Sequence, residues 1–266
     1  MLDLDAYLER LGLTGRPEPA VVHRAHVCSI PFENLDPYRG AGVSLAPAML
    51  ERKLVAARRG GYCFEHNVLL MAALEALGLE VEPMLGRVRL GVPPERANPL
   101  THMLLRVRYG GEVWHADVGF GRGTLLEPIP FGPGGPYEQS GWRFRVVDED
   151  EQLVLQTEEH DQWADVYSFV PRPVPPVDIE LGNWFTSTHP TSRFLTGLIV
   201  AGVRPDGSRV SLSDWGDELA LVSRTPSETT FKPVERVEIP GLLASAFGLS
   251  GWAVDGAGRI VPASGE

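Results

Sequence analysis

The first third of the chain has the apolar spacing of amphipathic helices. Apolar residues recur at three- and four-residue intervals in three segments, which predicts helices over residues 3–11, 19–29 and 47–57. A fourth segment of this kind begins near Cys63 and stops at Gly78, a residue type that commonly ends helices. The N-terminal region is therefore predicted to be helical.

From residue 81 onward the apolar positions alternate with polar ones, as they do in half-buried strands. The predicted strands are 81–90, 101–109, 112–118, 142–147 and 152–157. A proline-rich stretch, 170–177, ends this block because proline cannot donate to a sheet. The tail combines a predicted strand, 219–224, with a predicted helix, 239–248. This order predicts an α+β fold in three consecutive blocks.

Length and composition are those of a globular protein. With 266 residues, 43% of them hydrophobic, the chain can bury a substantial core. Its acidic N-terminus lacks the basic-then-apolar order of a signal peptide, and nowhere do 18 apolar residues run together. Cys28 and Cys63 belong to no closely spaced cysteine framework. We therefore expect reduced thiols, a cytoplasmic location and no membrane partner.

The charge distribution bears on the ligand. A net charge of −11 and a pI of about 5.1 argue against nucleic acid as a partner. Between Arg52 and Arg122, however, ten Lys and Arg residues stand against seven Asp and Glu. That local excess suits an anionic small ligand such as a phosphorylated cofactor, and it suits ordinary solvated strand faces equally well.

Cys63 is the candidate nucleophile, within R-G-G-Y-C-F-E-H-N over residues 59–67. Gly60 and Gly61 permit a sharp turn and a close approach of other groups to the backbone. A cysteine in the first turn of a helix meets free N–H groups and a dipole that favour a thiolate. The alternative is a small buried apolar residue, which is the interpretation we give to Cys28.

A base and its acceptor are predicted on one hairpin. A two-residue turn at Gly110 and Gly111 pairs positions whose numbers sum to 221, so His102 and Asp117 become diagonal neighbours on one face. His115 lies two residues before Asp117 and therefore shares that face. Gly119, opposite His102, would leave space for that imidazole, which favours His102 without excluding His115.

The other histidines suggest no metal site. His66 follows Cys63 by one helical turn, but two cysteines without a second close pair argue against zinc. We predict His23 and His26 on a helix surface, and His160 and His189 in loops.

The segment G-F-G-R-G-T, residues 119–124, departs from the dinucleotide motif at Thr124. It fits a turn at which a ligand approaches the backbone.

Five motifs occur in a familiar order: I-P-F-E-N-L (30–35), the Cys63 motif, T-H before a strand, D-V-G-F-G (117–121) and N-W-F-T-S-T-H-P-T-S-R-F (183–194). Together they resemble the arylamine N-acetyltransferase family over about residues 22–194. The resemblance implies a helical bundle over 1–80, an antiparallel β-barrel over 81–190 and an α/β lid over 191–266, with a papain-like triad arrangement.

The resemblance also assigns roles. It implies that Cys63 is the nucleophile, His102 the base and Asp117 its orienting group, and so it selects His102 over His115. Acetyl-CoA would be the co-substrate and an aromatic amine or hydrazine the acceptor, without a metal. The other implied positions are Phe32 and Phe120 in the acceptor pocket, Arg122 and Thr124 beside the cofactor cleft, Glu33 and Asn34 as structural groups, and His66 where many members have Gln.

Three other functions fit the same residues. An amide synthase that closes macrolactams would use the same triad on a carrier-bound acyl chain. A cysteine peptidase or transglutaminase-like hydrolase would pass the acyl group to water. A non-catalytic binding protein would keep the fold with an unreactive Cys63. The natural acceptor, the preferred acyl group and the oligomeric state are not predictable from the sequence.

Overall fold

The N-terminal region is helical, as predicted. The structure is a computed structural model that describes residues 2–93, 96, 98–159, 161–215 and 218–263. The predicted helix over 47–57 forms as a short α-helix that continues into a π-helical turn, Glu51–Ala56. The elements of this region are α1 (Leu4–Arg10), α2 (Pro19–Ser29), β1 (Phe32–Glu33), α3 (Leu35–Tyr38), α4 (Pro47–Leu50) and α5 (Cys63–Ala76).

Helix α5 is buried over most of its length. Its apolar residues Leu69, Leu70, Ala73 and Leu74 are buried, and so is its polar N-terminal end. A helix that is buried on most of its circumference must satisfy its polar groups internally. The polar residues near Cys63 are therefore held by protein partners.

The middle of the chain folds into one antiparallel sheet of eight strands that curls into a nearly closed barrel. The spatial order is β5-β4-β3-β2-β9-β8-β7-β6. Tyr109 pairs with Glu112 and Leu105 with Ala116, which confirms the predicted hairpin register. The strands are β2 (Glu80–Val88), β3 (Leu100–Tyr109), β4 (Glu112–Ala116), β5 (Ile129–Pro130), β6 (Gly134–Gln139), β7 (Trp142–Glu149), β8 (Gln152–Glu159) and β9 (Gln162–Phe169).

The C-terminal part is a second antiparallel sheet with its own apolar core. Its spatial order is β1-β10-β11-β12-β13, so the two-residue strand β1 joins the N-terminal region to it. The proline-rich stretch ends in helix α6, which begins at Pro176 and was not predicted. The elements are α6 (Pro176–Thr188), α7 (Arg193–Thr196), β10 (Ile199–Val203), β11 (Arg209–Trp215), β12 (Glu218–Arg224), β13 (Thr229–Pro233), α8 (Ile239–Phe247), β14 (Trp252–Val254) and β15 (Ile260–Pro262).

The α+β architecture is thus as predicted, including the strand and helix expected in the tail. The division into domains at residues 80/81 and 190/191 stays a prediction. Within the described ranges, no helix combines the length and the apolar character needed to cross a membrane.

Candidate active site

Cys63 is the first residue of α5, and its thiol is buried. Cys63 is only 4% exposed, and its Sγ lies 3.4 Å from the carbonyl oxygen of Thr101 on β3. Tyr62 caps the helix, and its backbone N–H donates to Glu65 Oε2 at 3.1 Å. The helix start thus brings the sulfur against the strand that carries His102.

The two glycines before Cys63 serve close packing. Gly60 and Gly61 have φ angles outside the left-handed region, so the unusual backbone angles that the sequence suggested are not required. A Cβ on Gly60 would lie 2.0 Å from the oxygen of Pro31, and one on Gly61 would lie 2.7 Å from Glu65 Oε2. The segment before Cys63 therefore tolerates only glycine at these two positions.

His102 and Asp117 are hydrogen-bonded, as their diagonal register predicted. His102 Nε2 lies 2.7 Å from Asp117 Oδ2, and the ring makes a further hydrogen bond with Cys63. Burial opposes a charged ring, but the negative charge of Asp117 and these hydrogen bonds outweigh it and raise the pKa of His102 to about 10. His102 is therefore an imidazolium near neutral pH, hydrogen-bonded to the Asp117 carboxylate.

Asp117 is held through both its carboxylate and its backbone. Oδ1 accepts from Asn67 Nδ2 at 3.0 Å and from the backbone N–H of Gly119 at 2.9 Å. The backbone N–H of Asp117 donates to His23 Nε2 at 3.1 Å. Burial raises the pKa of Asp117, but the charge of His102 and these hydrogen bonds hold it below the usual range. The carboxylate therefore stays ionised despite full burial.

His115, the rival to His102, has a different partner. Its Nε2 lies 2.8 Å from the hydroxyl of Tyr167, and burial lowers the pKa of His115 to about 4. The Tyr167 hydroxyl also interacts with Asp117. In the described part of the chain, His102 rather than His115 makes the direct bond to Asp117.

Gly119 provides room for the backbone of Cys63. A Cβ there would lie 2.7 Å from Cys63 Cα and 2.8 Å from Asn67 Nδ2. The expectation that Gly119 leaves open space for the His102 ring was wrong, because helix α5 fills that space.

Aromatic rings surround the Cys63–His102 pair. The ring of Phe120 meets His102 edge-on at a centroid distance of 5.0 Å. Phe32 packs edge-on against Phe194 at 6.1 Å, and its ring lies 3.3 Å from the position of a Cβ on Gly121. The two predicted pocket residues, Phe32 and Phe120, therefore both lie beside the turn that follows Asp117.

The two positions predicted beside the cofactor cleft differ in their surroundings. The Thr124 hydroxyl is buried and donates to the carbonyl oxygen of Asp117 at 2.9 Å, so Thr124 holds the backbone of Asp117 in place. The buried guanidinium of Arg209 donates to the carbonyl oxygens of Arg122 and Thr124. It thereby holds the turn Gly121–Gly123 at its middle residue and at the residue that follows it.

The prediction that His23 and His26 lie on a helix surface was wrong. Both are buried at 0–1% exposure, on the face of α2 that packs against the protein. Polar character suggested the surface, whereas the stripe of buried positions on α2 includes both rings. His189 lies just after α6, outside helix and strand as predicted, and His160 lies outside the described residues.

Glu33 and Asn34 are structural, as expected. Glu33 is fully buried; it accepts from the backbone N–H of Leu35 at 2.7 Å and pairs with Arg59 at 2.6 Å. Asn34 donates to the carbonyl oxygens of Phe194 and Gly197 at 2.9 and 2.7 Å, and accepts from the N–H of Ile199. These bonds tie the N-terminal loop to the C-terminal part.

Three site residues were not found by sequence reasoning. Asn67 could have been, because it lies four residues after Cys63 on the same helical face. Phe194 ends the motif 183–194 but had no role assigned to it, and Tyr167 comes from a distant strand whose local sequence carried no sign of a role.

This chain resembles known proteins over most of its length. The family model described as N-acetyltransferase matches residues 20–252. An arylamine N-acetyltransferase of Mycolicibacterium smegmatis is 43% identical over 217 residues, which cover 77% of this chain and 78% of the relative. The chain belongs to the arylamine N-acetyltransferase family.

Relatives that cover more of the chain support this assignment. An arylamine N-acetyltransferase of Mycobacterium bovis is 36% identical over 258 residues, 94% of this chain and 90% of the relative. The structure of the Mycobacterium marinum arylamine N-acetyltransferase in complex with CoA superimposes with a TM-score of 0.87 at 35% identity, covering 93% of each chain. Family membership therefore extends over nearly the whole fold.

Proposed function

We propose that this protein transfers an acetyl group from acetyl-CoA to an aromatic amine or hydrazine through a thioester on Cys63. The observation that carries the proposal is the bonded series of Cys63, His102 and Asp117, with the sulfur at the start of a buried helix. Membership of the arylamine N-acetyltransferase family and similarity to a relative in complex with CoA support the same donor.

In the first half-reaction Cys63 is the nucleophile. The imidazolium of His102 stabilises a thiolate on the adjacent sulfur. The thiolate attacks the acetyl carbonyl carbon, the bond from that carbon to the CoA sulfur breaks, and CoA leaves with the proton of His102. The free N–H groups of the first turn of α5 are suited to the negative charge on the oxygen in the transition state.

In the second half-reaction His102 acts as the base. The acceptor amine attacks the thioester carbon while His102 takes its proton, and the bond to Cys63 Sγ breaks to return the thiolate. Asp117 keeps Nε2 of His102 protonated, so the opposite ring nitrogen faces the sulfur and the amine. Phe32 and Phe120 would hold the acceptor ring beside the thioester.

The donor's phosphate groups are proposed to lie near the turn Gly121–Gly123, bordered by Arg122 and Thr124. Arg209 holds this turn through its hydrogen bond to the Thr124 carbonyl oxygen. Burial lowers the pKa of Arg209 to about 9. The positive charges of Arg224 and Arg122 act in the same direction, and the negative charge of Glu159 opposes them. A concentration of positive charge in a chain of net charge −11 suits a phosphorylated ligand.

The deciding experiment is intact-mass analysis after mixing the protein with acetyl-CoA. We expect one acetyl adduct on Cys63, released CoA, and discharge of the adduct by aniline or phenylhydrazine. Cys63→Ala should give no adduct, and Cys28→Ala should behave as the wild type. An unchanged transfer rate in Cys63→Ala would overturn the thioester mechanism.

A truncated donor separates the chemistry from donor recognition. S-acetyl-N-acetylcysteamine keeps the thioester and lacks the phosphates. Arg122→Gln is expected to raise KM for acetyl-CoA several-fold, because it removes about one charge-assisted hydrogen bond to the donor. The same substitution should leave the reaction with the truncated donor unchanged. If Cys63 alkylates readily yet takes acetyl from neither donor, the macrolactam-forming amide synthase becomes the better assignment.

A further inference from the structure

A buried chain of side chains runs from helix α1 to the segment that carries Phe32. The Tyr7 hydroxyl oxygen lies 2.7 Å from His26 Nδ1, and His26 Nε2 lies 2.8 Å from His66 Nδ1. His66 Nε2 then lies 3.2 Å from the carbonyl oxygen of Pro31. All three side chains are at most 1% exposed, and the proposed mechanism uses none of them.

The direction of every hydrogen bond in this chain is fixed by its last member. The oxygen of Pro31 can only accept, so His66 carries its proton on Nε2 and accepts at Nδ1. His26 must then donate from Nε2 and accept from the Tyr7 hydroxyl at Nδ1. Burial lowers the pKa of both imidazoles, that of His66 to about 4, so each ring is neutral and carries one N–H.

This chain ends on the backbone next to Phe32. The Pro31 oxygen also accepts from the backbone N–H of Gly61 at 3.3 Å, and Phe32 forms an isolated parallel bridge with Gly61. The ring of Phe32 lies parallel to that of His66, with planes 6° apart and centroids separated by 6.3 Å. His66 thus contacts the Phe32 segment twice, through the Pro31 carbonyl and through the ring.

Phe32, Phe120 and Phe194 form a group of rings near the reacting pair, here called the aromatic wall. Phe32 meets Phe194 edge-on and lies against Gly121, the residue after Phe120, which touches His102. His66 is one helical turn beyond Cys63, so α5 carries both the sulfur and the support of this wall. A shift of the Phe32 ring would change the space for an acceptor ring without moving Cys63.

We propose that His66 is a positioning residue for the acceptor, which sets the Phe32 ring through the Pro31 carbonyl and ring contact and so favours acceptors that carry an aromatic ring. This inference rests on the proposed function, because it concerns the second half-reaction. It assigns a role to the buried chain from Tyr7 to Pro31. The role is in acceptor selection and leaves the attack on the donor unaffected.

The test compares two acceptors with the same reacting group. Phenylhydrazine has a ring for Phe32 to contact, and hydrazine has none. In His66→Leu, which removes both hydrogen bonds of the side chain, the ratio of kcat/KM for phenylhydrazine to that for hydrazine is expected to fall about ten-fold. Formation of the acetyl adduct from acetyl-CoA should stay within about two-fold of the wild type.

Two further variants separate positioning from general stability. His66→Gln can donate to Pro31 and accept from His26, so it should recover most of the ratio lost in His66→Leu. Ala73→Gly, two turns further along the same helix, lowers helix stability without touching the chain and should leave the ratio unchanged. If His66→Leu does not fold, Tyr7→Phe breaks the same chain at its far end and should lower the ratio in the same direction.

The possible failures are distinguishable. A wild-type protein that forms no acetyl adduct on Cys63 would refute the proposed function. A wild type that forms the adduct, with an unchanged ratio in both His66→Leu and Tyr7→Phe, would refute the role of His66. An equal fall of the ratio in Ala73→Gly would also refute it, since the effect would then be one of stability.

Discussion

The carboxylate of Glu65 bonds both to the backbone N–H of Tyr62, at 3.1 Å, and to the ammonium of Lys53, at 2.8 Å. Lys53 also pairs with Asp36 at 2.8 Å, and Arg59 joins Asp36 to Glu33. The start of the nucleophile helix is thus held by a group of three carboxylates and three cations, because Arg39 also lies 3.5 Å from Asp36. Burial of Glu65 within this group makes its charge sensitive to pH.

The first prediction concerns stability between acid and neutral pH. Burial raises the pKa of Glu65 to about 7, against the opposing charge of Lys53. A carboxyl whose folded pKa exceeds its unfolded value binds more protons when folded, so its contribution to stability is lost as pH rises through the folded pKa. Because Glu65→Gln mimics the protonated form, its free energy of unfolding should gain on the wild type by about 3 kcal/mol between pH 4.5 and 7.5.

Denaturant unfolding at several pH values measures this difference. Glu75→Gln, an exposed position on the same helix, should follow the wild type throughout. A difference between Glu65→Gln and wild type that is the same at pH 4.5 and pH 7.5 would contradict a raised pKa of Glu65.

The second prediction concerns the protonation state of His102. A pKa of about 10 means that the ring is an imidazolium at neutral pH and loses its proton only in strongly basic solution. We expect the proton between Nε2 and Asp117 to give a far-downfield proton NMR signal that persists from pH 6 to about pH 9. In Asp117→Asn the pKa of His102 should fall and the signal should vanish; titration of His102 near pH 6.5 in the wild type would contradict the ion pair.

The third prediction concerns catalysis by Asp117→Asn. The amide oxygen can still accept from Asn67 and Gly119, so the fold should persist. The amide nitrogen would then donate to His102 Nε2 and force the proton onto the nitrogen that faces Cys63, at a cost of about 10⁴-fold in the rate of acetyl transfer. Rapid-mixing measurement of CoA release tests this, with the exposed Asp148→Asn as the matched control; a rate within ten-fold of wild type would mean that another group orients His102.

How much of this site could be read from the sequence depends on where its residues lie in the chain. His102 and Asp117 could be paired in advance because one two-residue turn, at Gly110 and Gly111, fixes the register of their hairpin. Cys63 could be placed at a helix start because the apolar spacing begins there. Local rules suffice for both.

Contacts between distant segments could not be anticipated in this way. His23 reaches the backbone of Asp117 from 94 residues away, and Asn34 bonds to Phe194 from 160 residues away. The two-residue strand β1 likewise forms by pairing with β10, which lies far along the chain. The spacing of apolar residues along the sequence does not indicate such contacts. The polar character of His23 suggested a solvent-exposed position, but packing buries it.

The last prediction uses glycine as a measure of how closely Cys63 and Asp117 are packed. Gly119 touches the backbone of Cys63, and an added Cβ would lie 2.7 Å from Cys63 Cα, a distance that real side chains do not reach. The two nearest groups are the Cys63 backbone and the Asn67 amide, whose N–H groups are already hydrogen-bonded, so neither can move at low energetic cost. Gly119→Ala should therefore lower the free energy of unfolding by about 2 kcal/mol or more. It should also slow acetylation of Cys63 more than its loss of stability accounts for, because the sulfur shifts away from His102.

Gly241 on helix α8 is the matched control. A Cβ there meets nothing within 4 Å and the residue is helical, so Gly241→Ala should raise stability by a few tenths to about 1 kcal/mol. Thermal unfolding and the rate of CoA release, measured on both variants, decide the matter. If Gly119→Ala acetylates at the wild-type rate, the contact between this turn and α5 does not set the position of the nucleophile, and the Asp117 carboxylate alone holds His102 against Cys63.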